Sequence, residues 1–154
     1  MKAESEFNTM MKNSIIEAGG FAHKISDVGQ IQHGVLPFDL FGCCDNRMIV
    51  CESKFMSNLQ AFNFHHLEDH QMDNLIKVYE TFKDSDRVCS MFAIGVVFGR
   101  GDIRVFWWAN ESLYNIRERK LKNNNIYKKE FEKLDNYLSV RKGLIDFKEI
   151  LNEL

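Results

Sequence analysis

The stretch Phe38-Asp39-Leu40-Phe41-Gly42-Cys43-Cys44-Asp45-Asn46-Arg47-Met48-Ile49-Val50-Cys51-Glu52-Ser53-Lys54-Phe55-Met56 places two apolar segments on either side of Asp45-Asn46. Asp and Asn tolerate the left-handed backbone of a tight turn, so the pattern predicts an antiparallel hairpin of 38–44 with 47–56. Side chains alternate faces along a strand, which puts Glu52 and Lys54 on the same side. Both interrupt a segment that otherwise reads as buried. A lone buried charge is costly, so the pair requires compensation from each other, from a cation or from water. Asp39 falls on the partner strand of the hairpin, and two carboxylates and an ammonium then converge on one patch.

Upstream, Glu4–Ala18 carries Phe7, Met10 or Met11, Ile15 and Ala18 at helical spacing and stops at Gly19-Gly20. Phe21–Ile25 reads as a short strand. Residues 26–37, with Gly29, Gly34 and Pro37, read as a loop or irregular hairpin. Downstream, Leu67–Phe82 is predicted helical, with Leu67, Leu75, Tyr79 and Phe82 on one stripe. Val88–Phe98 and Ile103–Trp108 read as a second hairpin around Gly99-Arg100-Gly101. Beyond Asn110 the chain reads as helical and charged, interrupted at Asn123-Asn124-Asn125, with a last short helix near Phe147–Leu151. Helix, three strands, helix, two strands and a helical tail predict an α/β fold, a mixed sheet flanked by helices. A single domain over 1–154 is expected, its core over about 4–108 and a basic helical tail over about 110–154.

Composition bounds the function. With 154 residues, 45% hydrophobic and 27% charged, the chain suits one globular domain. The longest apolar runs, such as Met91–Phe98, are too short to cross a bilayer. The opening Met-Lys-Ala-Glu-Ser-Glu lacks the apolar segment of a signal peptide. A cytoplasmic protein with no membrane partner is expected (the host cytoplasm for a phage-encoded chain). Four cysteines without a CxxC pair predict buried free thiols rather than zinc or disulfides. Net charge is −2, but residues 116–142 hold nine Lys/Arg against four Asp/Glu, a local excess of +5. A carboxylate-rich site that needs a cation, beside a basic segment, gives this balance; so does a solvated basic helix.

Asp39 and Glu52, with water and a phosphate oxygen, form an oxygen-rich set suited to Mg²⁺, with Mn²⁺ as a substitute. A metal so held acidifies a bound water and neutralises phosphate charge. Lys54 is suited to positioning that water or stabilising developing charge. A structural salt bridge is the other reading of the same residues. Gln71 shares a helix face with Leu67, Leu75 and Tyr79, and reads as either a site amide or a core Gln bonded to backbone. On the first helix Glu4 and Glu6 compete as a further acid, and the favour a helix N-terminus shows to acids explains either. Adjacent His65-His66 point apart, so His65, His66 and His70 do not form a zinc set. Trp107 and Trp108 read as core rather than as a base-stacking platform.

Asp39 followed by Glu52-Ser53-Lys54 resembles the core signature of the PD-(D/E)xK nucleases, and the element order resembles their restriction-endonuclease-like core. Phe62-Asn63-Phe64-His65-His66-Leu67-Glu68-Asp69-His70-Gln71 is similar to the RecU stretch in which an aromatic-rich segment leads into Asp-His-Gln at the start of a helix. The resemblance runs from about Lys24 to Trp107. It implies a homodimeric, Mg²⁺-dependent endonuclease that resolves four-way (Holliday) DNA junctions by paired cuts. It implies catalytic roles for Asp39, Glu52, Lys54 and Gln71, and metal ligation by Asp39, Glu52 and the Ser53 backbone carbonyl, with Glu6 as a further acid. DNA contacts are implied for Lys24, Gln30, Gln32, His33 and His70. The chain departs from the pattern at Pro37-Phe38-Asp39, where Pro and Asp are not adjacent, in its short N-terminal extension, and after Trp108. Two alternatives stand beside this reading: a nuclease of the same core acting on other branched or duplex DNA, and a non-catalytic DNA-binding protein that keeps the fold. For the dimer interface, the first helix and the strand around Phe106 are the candidate elements.

Overall fold

The computed structural model describes residues 3–25, 38–57 and 61–154. Helix α1 (Glu4–Glu17) leads into strand β1 (Phe21–Lys24), and β2 (Leu40–Cys44) and β3 (Arg47–Met56) form the expected hairpin. Asp45 and Asn46 have φ of 49° and 61°, the left-handed pair that a two-residue hairpin turn requires. Strand β4 (Ala61–Phe62) and a 3-10 turn at Phe64–His66 precede α2 (Asp69–Phe82), β5 (Val88–Gly99) and β6 (Asp102–Ala109). A 3-10 turn at Asn110–Ser112, α3 (Leu113–Leu121), β7 (Ile126–Tyr127), α4 (Lys128–Phe131), β8 (Tyr137–Ser139) and α5 (Phe147–Asn152) follow.

Six strands form one sheet in the order β1-β2-β3-β5-β6-β8. Strands β3 and β5 are parallel, with α2 in the connection between them, and the other neighbours pair antiparallel. The α/β class, with a mixed sheet flanked by helices, is the one expected. Because β3 and β5 are covered on both faces, their sequences are nearly continuous apolar runs. On one face Ile49, Cys51, Met91 and Ala93 pack with Phe7, Met11 and Ile15 of α1 and Phe147 and Ile150 of α5. On the other, Val50, Phe92 and Ile94 pack with Leu75 and Ile76 of α2, Ile116 of α3 and Phe131 of α4.

Three elements differ from expectation. Helix α2 begins at Asp69 rather than Leu67, because Glu68 caps it: the Glu68 side chain accepts from the Gln71 N–H, and Gln71 Oε1 accepts from the Glu68 N–H at 2.9 Å. Strand β2 begins at Leu40 rather than Phe38. The segment beyond Asn110 is not wholly helical, since β8 adds to the sheet by pairing Arg104 with Ser139 and Phe106 with Tyr137, and β7 pairs with β4. Strands of two or three residues are too short to display a period of two. Their pairing partners define them.

Helix α1 is seated by a close contact. Phe7 stacks on Phe55 with ring centroids 5.6 Å apart, and a Cβ on Gly95 would lie 2.6 Å from the Phe7 ring and 2.9 Å from that of Phe55. Only a residue without a side chain admits both rings. Gly95→Ala should therefore destabilise the fold by about 1–3 kcal/mol, the usual range for overpacking a core. Thermal unfolding checks this, and an unchanged melting temperature would show that the seat of α1 tolerates a methyl group.

Candidate active site

At the end of β3, Glu52 and Lys54 do face the same side. Lys54 Nζ lies 2.8 Å from Glu52 Oε1 and 3.3 Å from Glu4 Oε1 of α1. Glu52 is fully buried and Lys54 nearly so. Glu52 sits in register with Phe92 of β5, beside the second apolar core. Its Oε2 is buried and has no hydrogen-bond partner among the described residues. Burial first, then the charge of Asp39, push the Glu52 carboxyl up to about 7 against the opposing pull of Lys54. Burial also disfavours the Lys54 ammonium, but Glu52, Glu4 and Asp39 together outweigh it and hold Lys54 above the ordinary lysine range.

Asp39 stands one residue before β2. Leu40 pairs with Cys51, and the Asp39 N–H donates to the Cys51 carbonyl at 3.0 Å, so Asp39 comes level with Glu52. Its Oδ2 accepts from the Ser53 N–H at 3.0 Å and from the Ser53 hydroxyl at 3.3 Å. The single Ser53 hydroxyl proton is shared between that oxygen and Asn8 Oδ1 of α1. In an extended strand a residue's N–H and C=O point to the same side. The Ser53 carbonyl is therefore directed to the Asp39 side of β3, past the first residue of β2.

Glu4, which the sequence left in competition with Glu6, and Asn8, which it did not single out, are the neighbours that α1 brings to this group. Asn8 is buried and is followed on its stripe by Met11 and Ile15, while Glu4, one turn before it, is exposed. That spacing is the signal separating Glu4 from Glu6: both acids are exposed, and only Glu4 falls on the stripe of Asn8, Met11 and Ile15. Gln71 is engaged at the N-terminus of α2, its amide oxygen on the Glu68 backbone, which is the backbone-bonded alternative rather than a contact with Glu52. His70 Nδ1 lies 3.2 Å from Glu68 Oε2, and Lys24 Nζ reaches the Ser5 carbonyl at 3.5 Å. Gln30, Gln32 and His33 lie outside the described residues.

Trp107 is buried and Trp108 stacks on Phe92 at 6.1 Å, so both belong to the core. Cys44, Cys51 and Cys89 are buried free thiols as expected, whereas Cys43 is exposed. In the basic segment Arg117, Arg119, Lys120 and Lys122 pair with Asp73, Glu130, Asp69 and Glu118. The α3 end of the segment is thus cross-linked by ion pairs. Among the described residues no helix is long and apolar enough to cross a membrane.

Among the described residues no three His, Cys, Asp or Glu come together as a metal shell. Mg²⁺ needs no such shell, because it is held by one or two carboxylates and keeps several waters. The buried, unpartnered Glu52 Oε2 and the excess of carboxylate over ammonium (Asp39, Glu52 and Glu4 around Lys54) fit a divalent cation.

Among solved structures the chain is similar to Hjc of Archaeoglobus fulgidus, a Holliday junction resolvase from an archaeal hyperthermophile, with a TM-score of 0.48 and 14% identity over 85% of this chain and 90% of that one. No family model matches the sequence, and no curated protein does.

The raised Glu52 carboxyl has a signature in stability. The unfolded chain loses this proton near 4.5 and the folded chain near 7. The folded state binds more protons between those values, so its advantage is complete below pH 4.5 and is lost as pH rises through 7, by an amount on the order of 3 kcal/mol. In EDTA, the melting temperature should fall between pH 5 and pH 8 for the parent and fall less for Glu52→Gln, which cannot ionise. Parallel slopes for the two proteins would remove Glu52 as the titrating group.

Proposed function

We propose that the chain is a Mg²⁺-dependent endonuclease that cuts branched DNA, resolving four-way junctions. The observation that carries this reading is the buried, unpartnered Oε2 of Glu52, beside Asp39 and within the same ion-paired group as Lys54. In a stability device both oxygens of a buried carboxylate would be satisfied. In a phosphodiester-cleaving site one oxygen is kept for the cation. The Asp39 and Glu52 carboxylates, with the Ser53 carbonyl, would hold that cation. Bound there, it supplies an acidified water and neutralises phosphate charge.

Lys54 donates two of its three N–H groups to Glu52 and Glu4, which fixes the ammonium and leaves the third for water or a phosphate oxygen. Glu4 and Asn8 act through their partners: Glu4 orients Lys54, and Asn8 holds the Ser53 hydroxyl that also reaches Asp39. The match of Asp39 and Glu52-Ser53-Lys54 to the PD-(D/E)xK signature, and of Phe62–Gln71 to the RecU pattern, supports a junction as the substrate.

Cutting a junction on two symmetry-related strands requires two such sites, and one 18.1 kDa chain carries one. We therefore propose a symmetric homodimer. Phe106 itself is fully buried and offers no surface to a partner. Phe21 and Phe41, 59% and 41% exposed on neighbouring strands β1 and β2, offer apolar surface.

With a labelled four-way junction and Mg²⁺, Asp39→Asn and Glu52→Gln should lose cleavage while binding the junction as well as the parent or better, since removing negative charge eases phosphate approach. Lys54→Ala should lower the rate by roughly two to three orders of magnitude, as for loss of one preorganised charge. Full cleavage by Asp39→Asn would overturn the site. Sedimentation at micromolar concentration should show a dimer, free or on the junction; a monomer in both states would leave a nicking nuclease in place of a resolvase.

A further inference from the structure

Beside the Lys54 ammonium is a cleft of about 320 Å³, lined by Glu4, Lys54, Phe55, Met56, Phe62 and His66 among others. Larger open clefts lie elsewhere, one of about 930 Å³ along Ser14, Glu17 and Asp146 and one of about 720 Å³ along Arg47 and Arg87, and neither contains a candidate site residue. The cleft at Lys54 lies at the low end of ligand-sized cavities, which run from roughly 300 to 1,000 Å³. It has room for a single nucleotide and not for a duplex.

Its lining is also mixed in character. Phe55, Met56 and Phe62 supply apolar surface, Lys54 and His66 supply nitrogen groups, and Glu4 supplies an acceptor. A site for bare phosphate would not be walled with apolar side chains and a carboxylate. An unpaired nucleotide presents an apolar base face, polar base edges and a phosphate, and needs all three kinds of group.

The backbone beneath His66 is held firmly. His66 ends the 3-10 turn, its N–H donating to the Asn63 carbonyl at 3.1 Å, while Asn63 Oδ1 accepts from the His65 N–H at 2.9 Å. Phe64 and Leu67, on either side of the histidine pair, are buried, and Phe62 meets Phe64 edge-on at 5.1 Å. Two exposed imidazoles thus project from a rigid turn, and His66 is the one that lines the cleft.

We infer that this cleft takes one unpaired nucleotide next to the scissile phosphate and that His66 is the residue that holds it, so that the protein selects DNA whose strand is unstacked at a branch over continuous duplex. This rests on the nuclease reading for its scissile phosphate and goes beyond it in naming how the substrate is told apart. His66 is a substrate-positioning residue here, with no part in the proton or phosphoryl chemistry.

The test compares binding in EDTA, by fluorescence anisotropy, of a four-way junction, a single strand and a linear duplex of the same sequence. His66→Ala should weaken the junction and the single strand about tenfold, the scale of one lost contact to an unstacked base, and leave the duplex within twofold. His66→Asn should restore part of the loss, and His65→Ala should match the parent. Cleavage in Mg²⁺ should show the His66→Ala defect in KM, with kcat kept. Unchanged binding of all three DNAs by His66→Ala, or an equal loss on all three as for a plain phosphate contact, would overturn the inference. A parent protein that binds DNA but does not cut it would overturn the nuclease reading alone, because the binding comparison still decides the cleft.

Discussion

Three carboxylates surround one ammonium at the end of β3, and the arrangement of α1, β2 and β3 follows from closing that group. Glu52 and Lys54 are two residues apart and would meet in any extended strand. Glu4 is contributed by a helix 50 residues upstream of Lys54, and Asp39 by the partner strand. A buried ion pair is a weak source of stability, and apolar residues of similar size would often serve the fold as well or better. Charges retained between two apolar cores are best explained by what they do. They constrain the fold nonetheless, because the N-terminus of α1 has to lie beside Lys54. The Phe7–Phe55 stack over Gly95 and the Asn8–Ser53 hydrogen bond hold it there.

The parallel pairing of β3 with β5 sets the electrostatics. It requires a crossover, and α2 in that crossover covers one face while α1 and α5 cover the other. Glu52 therefore sits where charge is poorly solvated, which strengthens every interaction it makes and raises the cost of leaving an oxygen unpartnered. The carboxyl end of β3 is also where the chain leaves the sheet for the crossover. Ligand sites in open α/β sheets form outside strand carboxyl ends for the same geometric reason.

Much of this was legible in the residues. The Asp45-Asn46 turn set the hairpin register, and the register brings Asp39 level with Glu52. The period of two put Glu52 and Lys54 on one face. What was not legible depended on partners distant in sequence. Tyr137–Ser139 is a strand only because β6 is beside it. Gln71 shares a helix face with apolar residues, yet the first turn of a helix leaves N–H groups to satisfy, and the Gln71 amide answers that local need. The choice between Glu4 and Glu6 was within reach: Glu4, Asn8, Met11 and Ile15 trace one stripe, and extending that stripe back by one turn reaches Glu4. A charge count over 116–142 leaves out Asp69 and Asp73 of α2, which pair with Lys120 and Arg117.

The hydrogen bond from the Ile145 N–H to the Ser14 hydroxyl joins residues 131 apart in sequence. The Ser14 hydroxyl also donates to the Met10 carbonyl, so a side chain in the last turns of α1 is completed only by the C-terminal segment. Phe147 and Ile150 then pack into the same core as Phe7 and Ile15. Strands β3 and β5 cover the apolar stripe of α1 in part, and the segment after residue 145 completes the cover. Contacts of such long sequence separation slow folding, because loop closure precedes the gain. The helix that orients Lys54 is thus fully secured only by a segment 131 residues further along the chain, so its seat is among the slower parts of the fold to close.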